Sequence, residues 1–416
     1  MSAYLDHASA WPLSDAVRAE MLRWTDHVGS PMALHEAARG PADAIDAARA
    51  AVASITGWPA EWVIFTAGPT EARNLAIKGA LSAAGTDAPV IVADPLAHAS
   101  TLSIARTLTR RGGTMRLAPV DGMGRVSPAD LASVTVTRGA VTVTQGAPVT
   151  VTDAPADLVV ITHGQAEVGT IQDAAALVAA VRAACPDAVV VLDAEETAGL
   201  LALDDGLGAD VVVVGGRTLG APPWTGALLV RPGTRLHPVV EGGLEEGGKR
   251  GGAHDVPGIA ALGMAARQAL GDGQMAEGHD APVGDSPPGR EARVAHMRRQ
   301  AAALATGLLA VPGTQLNGPP VDERLPGHVQ VSAGGVEGEA VALAMAARGV
   351  AVSPGSACTF GAGKASPVLQ AMGLDEEAAR SAVLLTAGPG TTDDEVAEAV
   401  AAYAASVESL RGMAPS

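Results

Sequence analysis

Six side chains in this 416-residue chain have the type and placement to do chemistry. Asp193, Glu196, Arg217 and Thr218 share one central stretch, His98 precedes them, and Cys358 lies far behind. The central stretch, VVVLDAEETAGLLALDDGLGADVVVVGGRTLGAPPWTGALLV over 189–230, reads as a buried strand ending at Asp193 and an acidic helical turn. A second buried strand follows, running out into Gly215-Gly216-Arg217-Thr218. Parallel α/β sheets gather their chemistry at the carboxyl ends of strands, so the sheet alone should bring Asp193 and Thr218 together. Earlier, the apolar run Trp62-Val63-Ile64-Phe65-Thr66 leads through Ala67-Gly68-Pro69-Thr70-Glu71 into a helix over 72–83. A strand, a glycine turn and a helix start present free N–H groups and a positive dipole end to an anion, and Thr70 adds a hydroxyl. Pro69 removes one donor there but suits a first helical turn. An ordinary capped helix would show the same local pattern. Cys358 sits in Pro354-Gly355-Ser356-Ala357-Cys358-Thr359, where Pro, Gly and Ser argue for a loop rather than a core position.

Composition bounds what these residues serve. The length predicts two domains. Apolar residues make up 48% of the chain, enough for a large interior, yet aromatics are only 2%, so that interior must be built of Ala, Val and Leu. A net charge of −17 argues against nucleic acid or an anionic membrane as main partner. No apolar run reaches membrane-span length, and the N-terminus lacks a charged-then-apolar leader pattern, so the expected location is cytoplasmic. Two cysteines, Cys185 and Cys358, provide neither a disulfide framework nor a Cys-x-x-Cys metal site. Lysine occurs three times, as Lys78, Lys249 and Lys364, which leaves few amines for any covalent carbonyl chemistry.

The elements that must position these residues follow from periodicity and punctuation. An N-terminal arm over 1–14 precedes a helix over 14–24, with Ser14 as N-cap, and a long Ala-rich helix over 41–56. A strand over 90–93 leads to His98; a lone histidine after a strand is more often an ordinary loop residue, and its position relative to the 66–71 turn is what singles this one out. Val134-Thr135-Val136, Val141-Thr142-Val143 and Val149-Thr150-Val151 alternate β-branched residues between turn residues. They predict extra short strands, such as a hairpin, inserted before a buried strand over 158–162. Helices over 173–184 and 256–270 and strands over 188–192 and 226–230 complete a large domain over 15–270. The polar, Gly/Pro-rich 271–290 segment predicts a linker. A smaller domain over 291–416 should then hold a helix over 291–310, a strand over 327–332, a helix over 337–348 and the Cys358 loop.

Taken together, these motifs resemble the cysteine desulfurase and class V aminotransferase family, a branch of the fold-type I pyridoxal phosphate enzymes. The resemblance runs from Tyr4-Leu5-Asp6 to about 406. It rests on TAGPTEARNLAIKG against the family phosphate loop, on Glu167 and Gly169 after His163, on Asp193, on Arg250 with Gly252, and on GSACT around Cys358. It implies an α/β fold: a large domain with a mainly parallel sheet between helices, plus a smaller C-terminal α+β domain. By that resemblance Thr70 and Arg250 belong to the cofactor phosphate site, Asp193 pairs with the pyridine nitrogen, His98 stacks on the ring, and Cys358 takes sulfur as a persulfide.

The sequence also departs from the family pattern. Thr218 stands where the Schiff-base lysine belongs, Arg217 replaces the histidine before it, and Ala166 replaces an asparagine that bonds the cofactor's phenolic oxygen. Glu196 replaces its glutamine partner and would repel that oxygen. Leu384 replaces the arginine that clamps a substrate carboxylate. Three readings stay open at this level. One is a desulfurase-like protein degenerate for standard pyridoxal phosphate catalysis, which handles sulfur on Cys358 or binds a cysteine-like or anionic small molecule beside Arg217. Another is a working desulfurase or C–S lyase that uses the cofactor noncovalently or through Lys249 or Lys364. The third is a non-catalytic subunit paired with an active paralogue. A homodimer or heterodimer and a sulfur-acceptor protein are the partners these imply.

Overall fold

The chain opens with a two-residue strand, β1 (Ala3–Tyr4), followed by helices α1 (Asp15–Arg23) and α2 (Glu36–Ala53). A computed structural model describes residues 3–136, 154–271, 289–355 and 365–413. Ser14 caps α1 by accepting from Val17 N, as its place before an acidic first turn predicts. Strand β2 (Val63–Thr66) leads into α3 (Gly68–Asn74), a π-helical turn at Leu75–Gly79, and α4 (Ala80–Ala84). Next come β3 (Val90–Ala93), α5 (Ala99–Thr109), β4 (Thr114–Leu117), α6 (Pro128–Val136), β5 (Leu158–Thr162), α7 (Ala174–Ala184), β6 (Val189–Asp193), β7 (Val211–Gly215), β8 (Gly226–Val230) and α8 (Val256–Leu270).

Seven of these strands form one sheet in the order β2-β8-β7-β6-β5-β3-β4, with only β8 running against the rest. Continuous Val, Ile and Leu runs such as Val211–Gly215 are buried along their length, the signature of strands covered on both faces. Alternate side chains supply two cores. Val190, Leu192, Val212 and Val214 meet Ile45, Val178 and Ile259 on one face, while Val191, Val211 and Val213 meet Leu75, Ile77 and Ile104 on the other. Both are almost purely aliphatic, as the aromatic-poor composition requires.

The Val-Thr expectation is corrected where the structure describes it. Val134-Thr135-Val136 is the last turn of α6, not a strand. Ser127 caps that helix by accepting from Asp130 N, and Pro128 starts it. The buried Arg116 on β4 then donates to Val134 O and Thr135 O, taking up free carbonyls at the helix end. Tertiary contacts thus override β-branched propensity. The remaining repeats, Val141-Thr142-Val143 and Val149-Thr150-Val151, lie outside the described residues.

The second unit begins with α9 (Arg290–Leu309) and contains β9 (Thr314–Leu316), β10 (His328–Ala333), α10 (Gly338–Ala346), β11 (Val350–Ala351), α11 (Pro367–Ala371), α12 (Glu376–Arg380), β12 (Ala382–Thr386) and α13 (Asp393–Met413). Its three-stranded antiparallel sheet has the order β12-β10-β9. The N-terminal arm joins this unit: β1 pairs in parallel with β11, and Ala3 and Leu5 enter its core.

Helices α2 and α8 cover one sheet face at close range. A Cβ added to Gly263 would lie 2.5 Å from Ala48 Cα. Gly263→Ala should therefore destabilise the protein by about 1–3 kcal/mol through overpacking, reversing the ~1 kcal/mol gain that helix propensity alone predicts. Urea unfolding of the variant checks this; an unchanged or higher midpoint would mean that the two helices part freely.

Candidate active site

The carboxyl ends of β3, β5, β6 and β7 deliver Asp94, Thr162, Asp193 and Gly215 to one edge of the sheet. Thr162 Oγ1 donates to Asp94 Oδ2 at 2.9 Å, and Leu96 N donates to Asp94 Oδ1. Burial pushes the Asp94 carboxyl up to about 6, against these hydrogen bonds, and the nearby Asp193 adds to the rise.

Asp193 is held by an arginine from α3. Arg73 Nε donates to Asp193 Oδ2 at 2.6 Å and Nη2 to Oδ1 at 3.0 Å, a forked contact between two side chains only 3–4% exposed. The same Nη2 reaches Glu195 Oε2 at 2.5 Å. Glu195 turns its other oxygen to Arg217, whose Nε lies 3.0 Å from Oε1, and Arg217 Nη2 also binds Glu196. Space for Glu195 comes from Gly215, where a Cβ would stand 2.8 Å from Glu195 Cγ. The two carboxyls divide: burial opposes charge on both, but Arg217 and Arg73 hold Glu195 down at about 2. Burial and the adjacent Glu195 push Glu196 up to about 7 despite Arg217. Thr218, buried after β7, donates its hydroxyl to Glu195 O.

His98 caps α5, its Nδ1 accepting from Ser100 N. Burial and the Arg73 charge lower its basicity, while Asp193 and Glu195 pull the other way, so the ring faces this same cluster. The β2–α3 turn is built for close backbone approach: Gly68 has φ +83°, and a Cβ on Gly226 of β8 would meet Gly68 C at 2.7 Å. Ala67 N in that turn donates to Glu71 Oε2 at 2.8 Å, and Glu71 Oε1 accepts from Arg250 Nε at 3.0 Å. Thr70 is exposed at the turn. Among the described residues no group of three or more His, Cys, Asp or Glu could hold a metal ion.

On the side of the small unit, His163 bonds Thr197 at 2.8 Å, and burial lowers it to about 4. Glu167 is buried, accepts from Gln330 Nε2 at 3.1 Å and bonds Ser366. Gln330 lies opposite Leu384 in the β10–β12 ladder. The structure therefore gathers Asp193, Glu196, Arg217, Thr218 and His98 at one locus and links the Thr70 turn to Arg250 through Glu71. Cys358 and Lys364 lie outside the described residues. Sequence reading missed Arg73, Glu195 and Asp94. Arg73 had one signal: it stands four residues before the buried Ile77, on the stripe of the helix that faces inward.

A family model described as Aminotransferase class-V matches residues 3–267 and 288–396. The chain belongs to that family. Within it, the chain is 29% identical to cysteine desulfurase IscS 1 of Archaeoglobus fulgidus, over 99% of this chain and 98% of that protein. It is 31% identical to cysteine desulfurase IscS of Mannheimia succiniciproducens, over 99% and 94%. Its fold matches a solved NifS-like protein with a TM-score of 0.83 at 23% identity, covering 97% of this chain and 99% of that one.

The class V and desulfurase family depends on pyridoxal phosphate. The residues gathered here do not fit that group as the family holds it. Both oxygens of the expected pyridine partner, Asp193, are taken by Arg73, and the residue after Arg217 carries a hydroxyl that is spent on Glu195 O. Arg217, expected to draw an anion, is spent on two carboxylates.

Glu167 yields a pH test. Burial pushes its carboxyl from the ordinary 4.5 up to about 7. Between those values the native state keeps a proton that the unfolded chain has lost, so this residue's contribution falls as pH rises. The loss totals about 3 kcal/mol. Glu167→Gln removes the titration. The unfolding free energy of the variant should thus gain about 3 kcal/mol on wild type between pH 4.5 and 7.5. A difference that stays flat over that range, in urea titrations at several pH values, would contradict it.

Proposed function

We propose that this chain is a cysteine desulfurase-like protein that has left lysine-tethered pyridoxal phosphate chemistry and handles sulfur as a persulfide on Cys358. The observation that carries the reading is the state of the strand ends: Thr218 bonds Glu195 O after β7, while Asp193 is occupied by Arg73. Full-length likeness to cysteine desulfurases supports the sulfur chemistry. In the transfer step the Cys358 thiolate attacks the outer sulfur of a donor persulfide. A new S–S bond forms, the old one breaks, the donor leaves as thiolate, and no outside oxidant enters.

A second reading, a non-catalytic subunit paired with a lysine-bearing paralogue or with its own copy, is favoured by apolar side chains left in solvent. Trp224 is 56% exposed beside the Gly68 turn, and Leu34 and Leu244 are also exposed. We assign the protein to the cytoplasm; among the described residues no helix is long and apolar enough to cross a membrane.

Pyridoxal phosphate added to the purified protein should give no Schiff-base absorption band and no lysine trapped by borohydride. A trapped Lys249 or Lys364 would instead establish a working enzyme with a displaced tether. Incubated with an active desulfurase and cysteine, the protein should acquire a persulfide that Cys358→Ser lacks; equal labelling of the two would end the carrier reading. Co-purification of a lysine-bearing paralogue would replace both with the subunit reading.

A further inference from the structure

We propose that the guanidinium of Arg73 is a built-in occupant of the cofactor-ring site: it stands fork-on on Asp193 and bridges to Glu195, and so excludes a pyridine ring and keeps the sheet edge folded without one. The inference deepens the reading above, because it concerns noncovalent occupancy once no lysine tether remains.

Geometry carries the proposal. A cofactor ring needs the Asp193 carboxylate free on its open side, and here both oxygens are bonded at 2.6 and 3.0 Å by one side chain that is itself 3% exposed. The third contact, Arg73 Nη2 to Glu195 Oε2 at 2.5 Å, ties the same cation to the turn after β6. Glu195 in turn is bound to Arg217 beside Thr218, so Arg73, Asp193, Glu195, Arg217 and Glu196 form one connected chain of ion pairs across the β6 and β7 ends. Arg73 is positioned from α3, whose turn is pinned to β8 through Gly68 and Gly226, and its side chain is enclosed there at 3% exposure. Its removal would leave Asp193 buried without a cation and Glu195 with Arg217 alone, with Asp94 close by. Such a vacated, electronegative site would favour a cation of similar shape, or a protonated pyridine ring, over an anion.

Pyridoxamine 5′-phosphate tests this without depending on any lysine, because it has an amine in place of the aldehyde. Calorimetry of the wild-type chain with this compound should show no binding. Arg73→Ala should melt several degrees lower than wild type and be raised again by millimolar guanidinium chloride, but not by sodium chloride at equal ionic strength. Pyridoxamine 5′-phosphate should stabilise the variant in the same way. Binding of pyridoxamine 5′-phosphate to wild type would overturn the proposal, even with the variant unfolded, and would leave the absence of a trapped lysine untouched. An Arg73→Ala protein that melts like wild type, or that guanidinium does not rescue, would also overturn it. A borohydride-trapped lysine in wild type would instead defeat the functional reading on which the proposal rests.

Discussion

Buried charge at the carboxyl edge of the sheet is the constraint around which the large domain is arranged. Asp94, Asp193, Glu195 and Glu196 converge there below 7% exposure, and taking carboxylates out of water costs several kcal/mol each unless cations and hydrogen bonds replace it. Two guanidiniums, Arg73 and Arg217, pair with Asp193, Glu195 and Glu196, while Asp94 is met by the Thr162 hydroxyl and Leu96 N. Burial pushes Asp94 and Glu196 up to about 6 and 7, while Glu195 between the two arginines is held at about 2. Breaking such a network by removing one cation leaves a charge stranded, so its parts stand or fall together.

The fold makes this convergence unavoidable. Parallel strands all present the same end, and β3, β5, β6 and β7 are parallel neighbours. The single reversed strand, β8, brings Gly226 level with both Thr66 and Gly215, which fixes the β2–α3 turn over the same edge. Helix α3 leaves that turn with Arg73 pointing inward. The scaffold thus aims the side chain at position 73 at the end of β6.

Much of this was legible in the sequence, and the exceptions share a cause. Val90–Ala93, Gly226–Val230 and Val256–Leu270 were expected to the residue, because apolar runs bounded by Gly, Pro or Asp have little alternative. Helix α5 and strand β4 went unread; β4 carries Arg116, a polar intrusion into a four-residue strand whose partners lie at the end of α6. The Val-Thr reading failed at 134–136 for the same reason, since those carbonyls are met by Arg116 from another element. At the sheet edge, β6 and β7 end at Asp193 and Gly215 as expected, but Arg73 was passed over. An arginine gains meaning from the carboxylate it meets, and Asp193 is 120 positions away.

The small unit extends the argument to the substrate side. Residues paired across antiparallel strands share a sheet face, so Leu384 and Gln330 present themselves together. Gln330 spends its amide N–H on Glu167, and its Oε1 is without a hydrogen-bond partner among the described residues. That face offers an aliphatic side chain, an amide oxygen and a buried carboxyl that burial pushes up to about 7. Under the function proposed above, Leu384 offers no cation to a substrate carboxylate and Arg73 occupies Asp193, so both bear in one direction. The match of polar groups is incomplete at two atoms: Gln330 Oε1 and Arg73 Nη1 are buried without a hydrogen-bond partner among the described residues.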